Sequence, residues 1–317
     1  VNDIATAAPV TGTAHVTEKA IAGQAPARLF LWNKPPPGGV APRGVILFVH
    51  GSSMASTPSF DLVIPGKPDS SVMEFFARRG FDTWCVDNEG YGRSSKHRDV
   101  IYDIACGADD LEAASAYILG RTGASDLLVY GSSSGALKAA VFAARRPERI
   151  ARLALDAFVW TGKDSPTLAQ RRRKLPEYQA GGNRRPIDRA FVRSIFERDE
   201  PGTADEATIA AFADAILALD DSVPIGTYVD MCLNLPVVDP KAITAPTLIM
   251  RGQYDGIAGF DDLIDFFRLL PNPDKHFSVM PGIAHASFKQ MNYRTAFHLL
   301  ASFFEAPALV RPGTMMA

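Results

Sequence analysis

Three consecutive serines lie between two glycines in LLVYGSSSGALKAA, residues 127–140. Gly131, Ser133 and Gly135 fit G-x-S-x-G, a spacing that serves a nucleophile when a strand precedes it and a helix comes after. The reason is steric. A serine on a sharp strand-to-helix turn exposes its hydroxyl, and flanking glycines remove β carbons that would collide in so tight a bend. The spacing makes Ser133 the candidate nucleophile, while Ser132 and Ser134 fall at positions open to many side chains. The bland alternative is a serine-rich turn between a buried strand and a helix.

A serine hydroxyl is barely nucleophilic at neutral pH; it needs a base, and the base needs an orienting acid. Both are expected downstream, acid before histidine. PTLIMRGQYDGIAG places Asp255 just after an apolar run, and HFSVMPGIAHASF places His285 just after the next. Taken singly, such an aspartate is usually a turn former and such a histidine an ordinary surface or core residue. Their joint order, each at the carboxyl end of an expected strand, carries the reading. Asp156, at the end of LALD, is the rival acid. An oxyanion would need two backbone N–H donors. One is expected from Ser134, the other from the loop after GVILFVH, with Ser52 the first candidate and Ser53 the next. His50 reads as a structural hydrogen-bonding residue.

These groups need a scaffold. TAHVTEKAI and ARLFLWN read as two early alternating strands, separated by the PPPGG turn from the first long apolar run. GVILFVH, FDTWCVD, DLLVYG, IARLALDAFV, PTLIMRG and HFSVMPG are near-continuous apolar runs, the pattern of strands buried on both faces. SSVMEFFARRG, 103–123, GALKAAVFAARRP and FDDLIDFFRLLP separate them with helical spacing, closed by glycine or proline. Alternation of this kind predicts an α/β fold with a mostly parallel central sheet covered by helices on both faces.

From Trp160 to Pro240 the rhythm breaks. No strand is evident there, and PIDRAFVRSIFERDE, DEATIAAFADAILALDD and PIGTYVDMCLNL read as three helices inserted between two strands. The expected division is 1–159 core, 160–240 helical cap and 241–317 core. The first half of the insertion is basic (Arg171, Arg172, Arg173, Lys174, Arg184 and Arg185), while the second half, from Asp199, has no basic residue before Lys241. This is either a solvated, self-paired surface or an anion-attracting entrance. Candidate pocket residues are Ser53, Phe60 in the long loop after residue 53, and Trp160 at the threshold of the insertion. For both aromatics, ordinary packing is the competing role.

Composition sets the outer bounds. The chain has 317 residues, 47% hydrophobic and 21% charged, as in ordinary globular proteins. A net charge of −2 argues against a nucleic-acid partner. No apolar run is long enough to span a bilayer. Cys85, Cys106 and Cys232 lack metal spacing, and the six histidines form neither H-x-H nor H-E-x-x-H, so no metal is expected. With no signal-peptide pattern visible, the cytoplasm is the default location, a removed leader being the alternative. Oligomeric state is not legible; a homodimer stays open.

HGSS at 50–53, DNEGYGRSS at 87–95, GSSSG at 131–135, RGQYD at 251–255 and GIAH at 282–285 together resemble the α/β-hydrolase superfamily, in its order, over about residues 26–305. The resemblance implies a helical cap after the sixth strand, a triad of Ser133, Asp255 and His285, and no metal or organic cofactor. DNEGYGRSS resembles a loop of the epoxide and C–C hydrolase branches, which accompanies many activities and so speaks for fold, not substrate. Relatives that open epoxides or cleave haloalkanes carry aspartate at the elbow, so Ser133 favours acyl transfer. The leading expectation is hydrolysis of a small-molecule carboxylic ester, with lactone or thioester as variants. Amide or C–C bond hydrolysis and cofactor-free perhydrolysis use the same parts. A non-enzymatic receptor on this fold is the contrasting reading, which would be expected to lose a triad member.

Overall fold

The computed structural model describes residues 9–310, His97 excepted; the ends of the two expected core segments, 1–8 and 311–317, lie outside the described residues. The first half runs β1 (Thr13–Lys19), β2 (Ala27–Lys34), β3 (Val45–Val49), α1 (Ser56–Phe60), α2 (Val72–Arg78), β4 (Asp82–Val86), α3 (Ile104–Thr122), β5 (Leu127–Ser132), α4 (Ser134–Arg145) and β6 (Ile150–Asp156). An insertion comes next: α5 (Pro166–Ala180), β7 (Arg184–Pro186), α6 (Arg189–Glu197), α7 (Glu206–Leu217), β8 (Ser222–Pro224) and α8 (Gly226–Leu233). The chain then returns through β9 (Thr247–Gly252), α9 (Phe260–Leu269), β10 (Lys275–Met280) and α10 (Tyr293–Phe304).

Eight strands form the central sheet in the order β1-β2-β4-β3-β5-β6-β9-β10. Only the β1–β2 and β2–β4 pairs are antiparallel. The apolar runs are explained by this placement. β3 and β4 are buried along their whole length, because helices cover both faces. On one face Leu47, Val129 and Leu153 meet α3, α4 and α9 through Leu111, Leu137 and Phe266. On the other, Ile46, Phe48 and Met250 meet α2 and α10 through Phe76 and Phe297. The insertion has its own core, with Ile195, Phe196, Phe212 and Ile216 at its centre. No helix among the described residues is long and apolar enough to cross a membrane.

The insertion differs from the sequence reading in two respects. It holds a fourth helix, α5, and a small antiparallel pair, β7–β8. α5 carries QRRRKLPEYQ, which lacks a continuous apolar stripe and contains Pro176; its buried residues are Thr167, Leu168 and Leu175. The two short strands each end in proline, which ordinarily argues against a strand.

DNEGYGRSS is a brace. Buried Asp87 accepts hydrogen bonds from the Ser56 N–H and hydroxyl and from the Arg93 N–H, tying the loop after β3 to the loop after β4. Gly92, at φ 55, leaves no room for a side chain: a β carbon there would lie 2.1 Å from Asp87 Oδ2. The Gly92 N–H reaches across to Asp220 in the insertion.

Candidate active site

The bend at Ser133 is built from close backbone approach. A β carbon on Gly131 would lie 2.5 Å from the Gly135 carbonyl oxygen, and one on Gly135 would lie 2.4 Å from the Val49 carbonyl oxygen. Both glycines of G-x-S-x-G are therefore sterically required. Between them Ser133 has φ 57 and ψ −125, a conformation that costs a non-glycine residue on the order of 1–3 kcal/mol. The surroundings impose it: the Ser133 N–H donates to the Asp156 carbonyl at 2.9 Å, while α4 begins at the next residue. Gly135→Ala is expected to lower unfolding free energy by about 1–3 kcal/mol in urea titration, because backbone must move to admit the methyl group.

The strained turn presents Oγ to His285. Nε2 of His285 lies 3.0 Å from Ser133 Oγ, and its Nδ1 lies 3.1 Å from each carboxylate oxygen of Asp255. Asp255 comes after β9 and His285 after β10, so all three side chains meet at the carboxyl edge of the sheet. Asp255 is fixed further by the N–H groups of Ile257 and Ala258. Burial alone would raise its pKa, but His285 and these hydrogen bonds outweigh that and hold it at about 2. The carboxylate is thus charged throughout the neutral range and can orient an imidazole.

Asp156, the rival acid, makes other contacts. It accepts hydrogen bonds from the hydroxyls of Tyr130, at 2.5 Å, and Ser287, at 3.0 Å. Burial, aided by the charge of Asp255, pushes its pKa up to about 7 against those hydrogen bonds. A raised folded-state pKa gives a stability contribution that is present below about pH 4 and lost as pH rises through about 7. Wild-type unfolding free energy is therefore expected to fall relative to that of Asp156→Asn between pH 4 and 7. Parallel curves would refute this assignment.

The loop after β3 lies against Ser133. A β carbon on Gly51 would sit 3.1 Å from Ser133 Cβ and 3.7 Å from its Oγ. Ser52 Oγ donates to Ser134 Oγ at 2.8 Å and pairs with Thr227 at 2.6 Å, so the two expected oxyanion residues are joined. As the first residue of α4, Ser134 has an N–H without an intrahelical acceptor, at the positive end of the helix. Ser53, at φ 77, turns its buried side chain to Tyr228 and Arg185. The parts played by Thr227 and Tyr228 are missed by sequence reasoning, since no local pattern links positions 175 residues apart. His50 is enclosed; it donates from Nδ1 to the Gly51 carbonyl and accepts the Asn88 N–H at Nε2.

The candidate pocket residues separate. Phe60, buried, lines a small cavity of about 30 Å³ that also meets Gly51 and Ser132. Met54, Phe212 and Phe288 share that lining, with Lys289. Trp160 sits elsewhere: its indole N–H donates to the Val238 carbonyl, its ring meets Phe266 edge-on, and its backbone N–H binds Asp262. Those contacts anchor the start of the insertion to α9 and to the segment that leads back into the sheet.

Lys289 is buried with no hydrogen-bond partner for Nζ among the described residues, and burial pushes its pKa down to about 7. Lys289→Met is expected to raise stability at pH 7 by on the order of 1–3 kcal/mol in urea titration, by removing an unpaired polar group. A destabilised variant would refute this. Among the described residues, Glu89, Cys106 and Asp110 form a cluster of metal-type ligands. The Lys19 ammonium already fills it, 2.7 Å from Glu89 and 2.6 Å from Asp110.

Known proteins agree with this architecture. Residues 40–291 match a family described as serine aminopeptidase, S33 (Hydrolase_4). A monoacylglycerol lipase of Mycolicibacterium smegmatis is 23% identical over 257 residues, covering 78% of this chain and 83% of that protein. A soluble variant of monoglyceride lipase from Saccharomyces cerevisiae aligns with TM-score 0.68 and 18% identity, over 95% of this chain and 96% of that one. A thermophilic esterase from Thermogutta terrifontis aligns with TM-score 0.65 and 21% identity, over 91% and 97%. At these identities the structural likeness speaks for the fold. With the family match spanning most of its length, the chain belongs to the serine aminopeptidase S33 family of the α/β-hydrolase superfamily, and it is a hydrolase.

Proposed function

We propose that this hydrolase cleaves carboxylic esters of small molecules through an acyl-enzyme on Ser133. The observation that carries the reading is the unbroken chain Ser133 Oγ–His285 Nε2, His285 Nδ1–Asp255. His285 takes the hydroxyl proton as Oγ bonds to the acyl carbon. Asp255 keeps the imidazole in the tautomer whose Nε2 is free to accept, and stabilises the imidazolium that forms. The N–H groups of Ser52 and Ser134 hold the oxyanion. When the tetrahedral intermediate collapses, the C–O bond to the alcohol breaks and His285 returns the proton to the leaving oxygen. Water activated by His285 then releases the acid and restores Ser133. Lactones and thioesters enter the same sequence.

Residues 160–240 act as a cap in this reading. Support comes from α8, whose Thr227 and Tyr228 hold the Ser52 and Ser53 side chains, so the insertion positions the oxyanion loop directly. Monoacylglycerol lipase and esterase relatives favour esters over amides as the bond cleaved. The test is a panel with matched acyl groups: p-nitrophenyl ester, thioester and p-nitroanilide. Ester turnover with acyl mass on Ser133 is expected. Faster cleavage of the anilide than of the ester would overturn the ester assignment.

A further inference from the structure

The insertion buries more positive charge than it neutralises. Arg171 of α5 and Arg185 of β7 stack on Tyr228 of α8, and the charge of Arg198, at the end of α6, also reaches that ring. The Arg171 and Arg185 guanidinium carbons each lie 4.4 Å from the Tyr228 ring centroid, and Arg185 lies 4.2 Å from Phe191. Arg185, only 6% exposed, donates from Nη2 to Ser53 Oγ at 2.6 Å and to the Tyr228 hydroxyl at 2.8 Å. Three covered nitrogens have no hydrogen-bond partner among the described residues: Arg171 Nη1, Arg185 Nε and Arg198 Nη2. Among the described residues, neither Arg171 nor Arg185 pairs with a carboxylate, and Arg198 has only Asp199, at 3.4 Å. Arg185 is buried and Arg171 half-buried without a carboxylate partner, and half-buried Arg198 keeps one; covered cations so poorly paired are costly and call for an anion from outside.

The cluster is placed for the substrate. At one side Arg185 binds Ser53, two residues from Gly51, where a β carbon would lie 3.1 Å from Ser133 Cβ. At the other, the charge of Arg198 reaches Asp255, and a β carbon on Gly256 would lie 2.5 Å from Asp199 Oδ1. The three cations thus span from the oxyanion loop to the loop of the acid. Burial alone would raise the Tyr228 phenol, but the charges of Arg185 and Arg171 outweigh that and hold it down to about 7. Arginine forks with aromatic walls suit a planar carboxylate.

We infer that the preferred substrate carries a free carboxylate besides its ester, received by Arg171, Arg185 and Arg198 beside Tyr228. This rests on the ester-hydrolase reading. The carboxylate lies on the acyl side, so the products would be a dicarboxylic acid and an alcohol.

The test compares p-nitrophenyl hemiesters of succinate, glutarate and adipate with neutral p-nitrophenyl esters of equal chain length. At least one hemiester is expected to exceed its neutral match in kcat/KM by about 10-fold or more, as a charge-assisted pair supplies. Arg171→Gln should reduce that ratio by about 10-fold or more, and Arg171→Lys should restore part of it. Arg171 is chosen because it makes no contact with Ser53. A neutral preference in the wild type, or a ratio unmoved by Arg171→Gln, overturns the proposal. Should Arg171→Gln not fold, the wild-type ratio decides alone.

A second readout separates this proposal from the reading it rests on. Glutarate should raise the Tm of Ser133→Ala protein, and glutaramide should not. Esters cleaved without charge preference, and no shift with glutarate, would remove the anion site and leave the ester hydrolase. A glutarate shift without cleavage of any ester would leave the anion site and remove the ester hydrolase.

Discussion

Ser133→Ala is expected to lower kcat/KM for a p-nitrophenyl ester by about 10³–10⁶-fold while leaving thermal unfolding close to wild type. The size derives from the mechanism. Without Oγ there is no acyl-enzyme, and the remaining rate comes only from binding and oxyanion stabilisation. Ser132→Ala and Ser134→Ala are the internal controls, expected to lose about 10-fold or less. Ser132 lines the cavity beside Phe60, and Ser134 uses its hydroxyl to accept from Ser52, so neither carries the hydroxyl that His285 touches. Equal losses at all three positions would mean the turn has been misassigned.

Asp255→Asn is expected to cost about 10³–10⁴-fold in kcat, because an amide there changes the tautomer that His285 adopts. In the wild type a charged carboxylate 3.1 Å from Nδ1 favours the tautomer with its proton on Nδ1, which leaves the Nε2 lone pair free at 3.0 Å from Ser133. An asparagine NH₂ turned to Nδ1 would donate instead, placing the ring proton on Nε2, where it blocks proton removal. The Ile257 and Ala258 N–H groups, which donate to Asp255 Oδ1, favour that orientation by claiming the amide oxygen. Asp156→Asn should lose about 10-fold or less, since Asp156 contacts Tyr130 and Ser287 and makes no hydrogen bond to His285. The opposite pattern would move the acid from β9 to β6.

The parts legible in the sequence are those written locally. G-x-S-x-G encodes its own bend, because the glycines are needed by the immediate neighbours of the turn. Buried strands are legible because both faces are apolar, and Asp255 and His285 because each comes directly after such a run. The features that escape are set by distant contacts. α5 has charged residues on most of its surface and a proline inside, so its helical state depends on capping by Ser165 and on packing of Leu168 and Leu175. Trp160 reads equally as wall or anchor until Val238 and Phe266 come beside it. Ser53 reads as a backbone donor or pocket residue; its left-handed φ of 77 and its bond to Arg185 arise only once the insertion folds over the loop. The basic run of the insertion also divides once folded: Arg172, Arg173 and Lys174 face solvent, whereas Arg171 and Arg185 turn inward.

The central claim is that Ser133 is an activated nucleophile. It is tested most directly by intact mass after treatment with a fluorophosphonate, with peptide mapping of the product. The expected result is a single adduct on Ser133, abolished in His285→Ala protein that remains folded. No adduct in folded wild-type protein, or an adduct on Ser132 or Ser134, would contradict the account.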